Sequence, residues 1–355
     1  MQNQLNQLKT HLLEINDLES ACNLLHWDQA TYMPPGGATA RGRQMATLRK
    51  IAHDKFTSPI ICELLASLQN YAQNLPDNSD DASLIRITQR HYNKAIQVPA
   101  EFMAKLAIHQ AECYKMWSKY RSENNFKAVL PDLEKTLELS REYANYFKYE
   151  QIADPLIEDA DYGMKTETVR SLFTELRKKL VPMVEEITAK SEIDNSFLNQ
   201  YFPEDKQLEF SRKVLDKIGY DWSRGRQDKT LHPFMTKFSL GDVRITTRVY
   251  ENNLEQCLFC SMHEMGHAFY EMGINPNYEG TPLAHGTSSG VHESQSRLWE
   301  NLVGRSREFW HYFYPQLQRF FPEQLNNIDE ETFYQGINKV KRSLIRTDAD
   351  EVTYN

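Results

Sequence analysis

Long stretches of this 355-residue chain contain neither glycine nor proline, which number 14 each. Because these two residues commonly end helices, their scarcity favours long helices. The first 25 residues carry aliphatic side chains at helical spacing, namely Leu5, Leu8, Leu12, Ile15, Leu18 and Leu25. Similar spacing predicts further helices over about 38–53, 58–74, 81–95, 99–122, 127–150, 167–192 and 204–219. Residues 154–163 are predicted to form a loop between two of these helices.

One stretch departs from the helical pattern. β-branched residues alternate with polar ones at Val243, Ile245, Thr247 and Val249. Alternation with a period of two is typical of a strand, and residues 235–238 can pair with this strand across the turn at Gly241–Asp242. The sequence therefore predicts a small antiparallel β-sheet within residues 233–250 of a mainly α fold, organised as a single helical domain over residues 1–355.

The charge balance and the lack of apolar runs exclude several classes of partner. The chain has 41 lysines and arginines against 49 acidic residues, a net charge of −8. This charge argues against nucleic acid as a partner, because phosphates would repel it. No apolar run approaches the length of a membrane span, and the N-terminus lacks the core of a signal peptide. The five cysteines are odd in number and scattered, which suits free thiols in a cytoplasmic protein.

The most specific motif is H-E-M-G-H at residues 263–267. Residues four apart lie on one face of a helix, so His263 and His267 can direct two imidazole nitrogens at one metal ion. Glu264 would then lie beside a water molecule bound to that ion. The surroundings are helical, and either Asn252 or Asn253 can cap the start of the helix. The motif therefore predicts a metal-binding helix.

A third ligand is available downstream, in the segment H-E-S-Q at residues 292–295. A catalytic zinc ion takes three protein ligands and keeps one position open for water. Glu293 follows Ser288 and Ser289, either of which can start a second helix, and its carboxylate completes a His-His-Glu set. His285, in the loop between the two helices, is interpreted as a polar surface residue. Together the two motifs predict one zinc site per chain.

Several segments of the chain resemble one known family. They are F-C-S-M-H-E-M-G-H-A-F-Y-E at 259–271, G-V-H-E-S-Q-S-R-L-W-E-N at 290–301, H-W-D-Q at 26–29, M-P-P-G at 33–36, H-P-F at 232–234, D-V-R-I-T at 242–246 and I-R-T-D at 345–348. Their order and spacing are similar to those of the carboxypeptidase Taq family, the M32 zinc metallocarboxypeptidases, along the whole chain.

This resemblance implies a large helical body with a long substrate groove, a gluzincin-type H-E-x-x-H helix at the floor of the groove and the small sheet beside it. It implies a peptide hydrolase that releases C-terminal amino acids from peptides with broad specificity. It also implies one Zn2+ per chain, which Co2+ can replace, and a homodimer. Family members continue beyond the position of Asn355. We therefore expect a catalytic domain that is truncated at its C-terminus and exposes apolar surface, and the truncation leaves its activity open.

The chemistry gives a role to each residue of the two helical motifs. Zinc held by His263, His267 and Glu293 would polarise the scissile carbonyl and lower the pKa of its bound water to about 7. Glu264 would take the proton of that water as general base and pass it to the leaving amine.

Further residues are needed to recognise the substrate and to support the ligands. The oxyanion can be stabilised by the metal, by His232 or by His292. By resemblance, Arg346 binds the free C-terminal carboxylate of the substrate through its planar guanidinium, and the alternative for Arg346 is a structural ion pair. Either Glu271 or Glu300 can orient the ligating imidazoles.

Two other functions are compatible with these residues. A zinc endo-oligopeptidase of similar fold would not need an anchor for the terminal carboxylate. An inactive zinc-binding fragment would hold the metal without turnover. Hydrolysis of a free-acid peptide and of its amidated twin separates the first alternative from a carboxypeptidase, and turnover by the metal-loaded protein excludes the second.

Overall fold

The computed structural model describes residues 1–190 and 192–340, which are mainly helical as predicted. In chain order the α-helices are α1 (Gln2–Thr31), α2 (Ala38–Phe56), α3 (Pro59–Gln73), α4 (Asp80–Ala95), α5 (Ala100–Ser122), α6 (Phe126–Ala144), α7 (Asp154–Ala160), α8 (Thr166–Thr188), α9 (Glu204–Ile218), α10 (Leu254–Met272), α11 (Ser289–Arg297), α12 (Arg307–Phe320), α13 (Pro322–Leu325) and α14 (Glu330–Ile337). None of these helices combines the length and the apolar character that a membrane crossing requires.

Most predicted helices begin and end within one turn of their expected bounds, because the residues that limit them act locally. Ser79 caps α4, and its side chain accepts a hydrogen bond from the N–H of Ala82. Gly219 ends α9 in the left-handed conformation, with a φ of 107°. Glycine adopts this conformation without the steric cost that a Cβ would bring.

Two helix predictions were wrong in part. Residues 154–163, expected as a loop, contain α7, and α6 ends at Ala144 rather than near residue 150. Asp154 is buried at the start of α7, where its Oδ2 accepts hydrogen bonds from the N–H groups of Gln151 at 2.9 Å and Glu150 at 3.3 Å. A helix of seven residues is too short for an apolar repeat to indicate it in the sequence.

The chain forms two compact units. The first comprises residues 1–160, 236–243 and 271–287, and the second comprises residues 161–235, 244–270 and the described residues after 287. The prediction of a single domain over the whole chain stays a prediction.

The core of the first unit lies among α1, α3 and α4. Leu5, Leu8 and Leu12 of α1 repeat at the spacing of one helical face, and all three are buried. They pack with aliphatic side chains of α3 and α4, namely Ile61, Leu64, Leu65, Leu68, Leu84 and Ile85. Burial of one such side chain is worth roughly 1.5–3 kcal/mol. The periodic leucines of the sequence therefore account for the packing of these helices.

Aromatic side chains form much of the core of the second unit. Trp310 of α12 contacts Phe333 of α14, with ring centroids 4.5 Å apart, and Phe259 of α10, with centroids 6.4 Å apart. The indole N–H of Trp310 donates a hydrogen bond to the carbonyl oxygen of Gly304 at 2.8 Å. The buried ring thus has its polar atom satisfied, and it packs α10 against α12 and α14.

Three strands form a small sheet, with β1 at Gln227–Lys229, β2 at Met235–Ser239 and β3 at Asp242–Thr247, in the order β1-β3-β2. The predicted strand and its partner are β3 and β2. The sequence does not predict β1, because Gln-Asp-Lys contains no β-branched or aromatic residue. β1 pairs with β3 in parallel, with Gln227 opposite Ile245. The sheet is therefore mixed, whereas we expected an antiparallel one.

Within the second unit, side-chain hydrogen bonds attach β1 and the end of β3 to the middle of α10. The hydroxyl of Thr247 donates to the carbonyl oxygen of Cys257 at 3.0 Å. The hydroxyl of Ser261 donates to that of Thr247 at 2.9 Å, and the amide of Gln227 donates to Ser261 at 2.7 Å. The turn of α10 that precedes residues 263–267 is thus held by β1 and β3.

Candidate metal site

Helix α10 carries the H-E-x-x-H motif. Asn253 caps its first turn, where Oδ1 accepts hydrogen bonds from the N–H groups of Glu255 and Gln256, each at 3.0 Å. The apolar side chains of α10 are buried, namely Cys257, Leu258, Met262, Met265 and Ala268. His263 and His267 are only partly buried, and their ring centroids are 5.0 Å apart. The two histidines therefore share a face, as the four-residue spacing predicts.

Helix α11 brings a third candidate ligand close to α10. The hydroxyl of Ser288 caps α11 by accepting the N–H of Val291 at 3.2 Å. Gly266 permits a close approach of the two helices, because a Cβ at this position would lie 2.6 Å from both the carbonyl oxygen of Gln295 and the Cα of Ser296. Any other residue would collide with the backbone of α11. The glycine inside the motif thus allows the first turns of α11 to reach the histidines.

Glu293 lies between the two histidines. Its Oε2 is 3.3 Å from Nε2 of His267 and 3.7 Å from Nε2 of His263. One ligand atom from each of the three residues lies within 4.8 Å of the others, and the described residues contain no other such group of histidine, cysteine and acidic side chains. Two imidazole nitrogens and one carboxylate oxygen form a donor set that suits a divalent transition metal. The residues present therefore fit a metal ion.

Glu300 orients the ring of His263. Its Oε2 lies 2.8 Å from Nδ1 of His263. Burial favours the neutral carboxyl, but the hydrogen bond with His263 and the charges of Arg305 and Arg297 outweigh it and hold the pKa of Glu300 below its ordinary value. The ionised carboxylate accepts a hydrogen bond, so Nδ1 of His263 carries a hydrogen, and in the neutral ring Nε2 presents its lone pair on the side of Glu293.

The sequence alone could not show whether Glu300 or Glu271 orients a ligating imidazole. Glu300 lies in a π-helical segment, Leu298–Val303, which directly follows α11. Such segments often occur at functional sites. Arg297 donates a second hydrogen bond to the same oxygen of Glu300 at 3.2 Å. Glu271, the other candidate for this role, instead accepts a hydrogen bond from Nζ of Lys237 at 2.6 Å. Of the two, it is Glu300 that supports a histidine.

Glu264 has the environment of a proton-transfer group. It is only 7% exposed, and it accepts a hydrogen bond from the backbone N–H of Met235. Burial, assisted by the negative charges of Glu293 and Glu300, raises the pKa of Glu264 to about 7. A carboxyl that titrates near neutral pH can both take up and release a proton under ordinary conditions.

His292 contacts the second histidine of the motif. The Nδ1 atoms of His292 and His267 are 2.5 Å apart, and the two rings stack with centroids 4.6 Å apart. Burial lowers the pKa of His267 and favours its neutral form. If Nε2 of His267 binds a metal ion beside Glu293, the hydrogen of the neutral ring lies on Nδ1, which can then donate it to Nδ1 of His292.

The remaining sequence-predicted candidates are His232 and Arg346. His232 is exposed in the bend that precedes β2, and Arg346 lies outside the described residues. The loop residue His285 is exposed, as interpreted from the sequence. The role of Gly266 in packing was not predicted from the sequence. A glycine inside a helix lowers helix stability by about 1 kcal/mol relative to alanine, so its presence within the motif already indicated a packing constraint.

The mainly helical fold and the His-His-Glu group define the chain as a metallopeptidase of the H-E-x-x-H class. The profile of one family, described as carboxypeptidase Taq (M32) metallopeptidase, matches residues 7–355. The chain belongs to this M32 family.

Individual relatives agree with this assignment. The chain is 37% identical over 349 residues to thermostable carboxypeptidase 1 of Thermus thermophilus, a match that covers 95% of this chain and 68% of the relative. It is 33% identical over 345 residues to carboxypeptidase 1 of Bacillus subtilis, covering 97% and 68%. The crystal structure of the M32 carboxypeptidase from Deinococcus radiodurans R1 matches with a TM-score of 0.89 at 43% identity, covering 99% of this chain and 71% of that one.

The family and its relatives identify the activity. The protein is a metallocarboxypeptidase, a hydrolase that releases residues from the C-terminus of peptides. This finding favours the first of the three functions considered from the sequence over an endo-oligopeptidase.

Proposed function

We propose that His263, His267 and Glu293 hold one zinc ion per chain, and that Glu264 is the general base in the hydrolysis of C-terminal peptide bonds with broad specificity. The observation that carries this proposal is the grouping of three ligand atoms within 4.8 Å of one another. Glu264 directly follows His263 in the sequence, and its carboxyl is buried. A nucleophile-activating group and a metal site are thus adjacent on one helix.

Zinc is proposed as the native metal, with cobalt as a functional substitute. Two imidazoles and one carboxylate are a common ligand set of catalytic zinc. When bound, the metal would supply Lewis acidity at the carbonyl oxygen of the scissile bond. The hydrogen bond between Glu300 and Nδ1 of His263 supports this assignment, since it fixes the tautomer in which Nε2 can ligate.

Glu264 moves the proton in this mechanism. Its carboxylate takes a proton from the attacking water and later delivers it to the nitrogen of the leaving amine. The backbone N–H of Met235 holds the carboxyl in place. Burial raises the pKa of Glu264 above its ordinary value, which makes its carboxylate a stronger base for the first of these transfers.

Three further residues are proposed to bind substrate. The imidazoles of His292 and His232 are proposed as donors to the developing oxyanion. Arg346 is proposed to pair with the terminal carboxylate of the substrate, because a guanidinium makes two parallel hydrogen bonds with a carboxylate. This pair would give the enzyme its preference for a free C-terminus.

The decisive experiment combines metal analysis with two matched substrates. Purified protein reconstituted at neutral pH is expected to hold one zinc ion, and replacing His263, His267 or Glu293 by alanine should remove it. The loaded protein should hydrolyse a free-acid peptide and leave its amidated twin intact. Protein without stoichiometric zinc, or equal hydrolysis of both peptides, would contradict the proposal.

We also propose that the protein forms a homodimer. Helix α8 supports this proposal because none of its residues is buried. It exposes a set of large apolar side chains, namely Leu172, Phe173, Leu176, Val181 and Met183. Exposed apolar side chains of this kind suit an association surface. Light scattering over a range of concentrations tests the proposal, and a monomer at every concentration would contradict it.

A cytoplasmic location is proposed on the basis of the cysteines. All five are unpaired thiols, including Cys257 and Cys260, which lie within one turn of α10. Free thiols persist in reducing compartments. Fractionation of the producing cells would test this, and recovery of the protein outside the cytoplasm would contradict it.

A further inference from the structure

Lys237 of β2 forms a buried ion pair that lies outside the ligand group. Its Nζ is 2.6 Å from Oε2 of Glu271, and the two side chains are only 12% and 7% exposed. Nζ also donates a hydrogen bond to the carbonyl oxygen of Ala284. All three residues belong to the first unit. Burying two charges costs free energy unless they are paired and hydrogen-bonded, so the geometry of this contact is closely constrained.

The two partners of Lys237 lie near opposite ends of one connection. Glu271 is in the last turn of α10, one turn after His267. Ala284 ends a 3-10 turn, Pro282–Ala284, and the chain then continues to α11 at Ser289. Residues 273–288 join the helix with the two histidines to the helix with Glu293. A single ammonium group therefore ties the last turn of α10 to Ala284, and only residues 285–288 lie between this tie and α11.

The interior of the connection is folded by its own hydrogen bonds. The hydroxyl of Thr281 donates to the carbonyl oxygen of Tyr278 at 2.6 Å, and the N–H of Ala284 donates to the carbonyl oxygen of Thr281 at 2.9 Å. The carboxylate of Glu279 accepts the N–H of Leu240, in the turn after β2, at 2.7 Å. The connection thus has a defined shape, and Lys237 ties its residue Ala284 to the end of α10.

We propose that Lys237 is a positioning residue for the metal site, acting through the connection between α10 and α11. The inference rests on the proposed function, in which His263, His267 and Glu293 bind the metal. The helix sets the spacing of the two histidines by itself. Glu293 has no such local constraint, because it reaches the site from a separate helix. Tying Ala284 to the end of α10 leaves only a short segment before α11, which reduces the number of arrangements that Glu293 can adopt and so pre-organises the three ligands.

Metal affinity separates this role from a merely structural one. A pair that only stabilises the fold would lower the unfolding temperature of the metal-free protein and leave the affinity for metal unchanged. A positioning pair would weaken metal binding in protein that is still folded. The absorption spectrum of the Co2+-loaded protein gives a second readout, since it reports the geometry of the ligands directly.

The test compares Lys237→Met with a matched control, Lys229→Met. Lys229 lies on β1 and forms an exposed ion pair with Glu204, with side chains 54% and 40% exposed. Zinc affinity is measured by competition with a chelator in folded protein. Lys237→Met is expected to weaken zinc binding by about 10–100-fold, the usual effect of losing a residue that supports metal ligands, and to change the Co2+ spectrum. Lys229→Met should leave both unchanged.

Glu271→Gln provides a second variant if Lys237→Met does not fold. It keeps an acceptor for Lys237 but removes the compensating charge, and it should also weaken zinc binding. Folded variants with wild-type zinc affinity and Co2+ spectrum would overturn the inference while the proposed function stands. A wild-type protein that binds no zinc at the three ligands would overturn the proposed function, and this inference with it.

Discussion

Nδ1 of His263 lies 2.8 Å from Oε2 of Glu300, and this contact determines which nitrogen of His263 faces Glu293. The two residues are far apart in sequence and come from different helical segments. Because the pKa of Glu300 is held below its ordinary value, the carboxylate is ionised at neutral pH and accepts the hydrogen of Nδ1. The contact therefore selects, for the neutral ring, the tautomer in which Nε2 can bind a metal ion.

Replacing Glu300 by glutamine should weaken metal binding. The amide can present its NH2 group to Nδ1 and so favour the tautomer in which Nε2 carries the hydrogen and cannot ligate. We expect zinc affinity to fall by about 10–100-fold, measured by chelator competition. Glu308→Gln, at an exposed position in the first turn of α12, is the matched control and should have no effect. Equal affinities for the two variants would show that Glu300 does not orient His263.

Glu264→Gln should retain the metal and lose hydrolysis. The amide has nearly the shape of the carboxylate but cannot take a proton from water. We expect the turnover number to fall at least 100-fold, the lower range for removal of a general base, while zinc content stays at the wild-type level. Steady-state kinetics with a free-acid peptide and elemental analysis measure the two quantities. Near wild-type turnover in the zinc-loaded variant would exclude Glu264 as the base.

Gly266→Ala should disturb the metal site although residue 266 is not a ligand. The added Cβ would lie 2.6 Å from the backbone of α11, so this helix must move away from α10. We expect a loss of about 1–3 kcal/mol in unfolding free energy together with weaker zinc binding. Denaturant unfolding and chelator competition measure these effects.

The control for this variant is Gly241→Ala. A Cβ at Gly241 would meet only the hydroxyl of Ser239, at 3.6 Å, which is an ordinary contact. Gly241→Ala should therefore keep wild-type zinc affinity. If Gly266→Ala bound zinc as tightly as this control, the close approach of α10 and α11 would not be what sets the position of Glu293.

Arg346→Ala should impair cleavage of substrates with a free C-terminus. If the guanidinium pairs with the terminal carboxylate, its loss should cost about 2–4 kcal/mol in kcat/KM for a free-acid peptide. Any residual cleavage of the amidated twin should be unaffected, because that peptide has no carboxylate to bind. Kinetics with the peptide pair check both statements. Unchanged kcat/KM for the free acid would refute the anchor.

The features that the sequence alone determined depend on residues close together in the chain. The spacing of His263 and His267 places both rings on one face of α10, because helical geometry repeats every 3.6 residues. The sequence also placed the cap of α10 at Asn252 or Asn253 and the start of α11 at Ser288 or Ser289, and the structure selects Asn253 and Ser288. The alternating strand β3 follows from the same kind of local rule. The mainly α fold could be predicted because periodic apolar residues and scarce breakers are also local signals.

The features that only the tertiary structure decided depend on contacts between distant segments. Glu271 and Glu300 were equivalent candidates in the sequence, and the structure pairs one with Lys237 and the other with His263. The parallel pairing of β1 with β3 and the contact of Gly266 with α11 are of the same kind. Such contacts leave no periodic pattern in the sequence, because they arise from the packing of separate elements. A carboxylate acquires its partner only when packing brings the two groups within hydrogen-bonding distance.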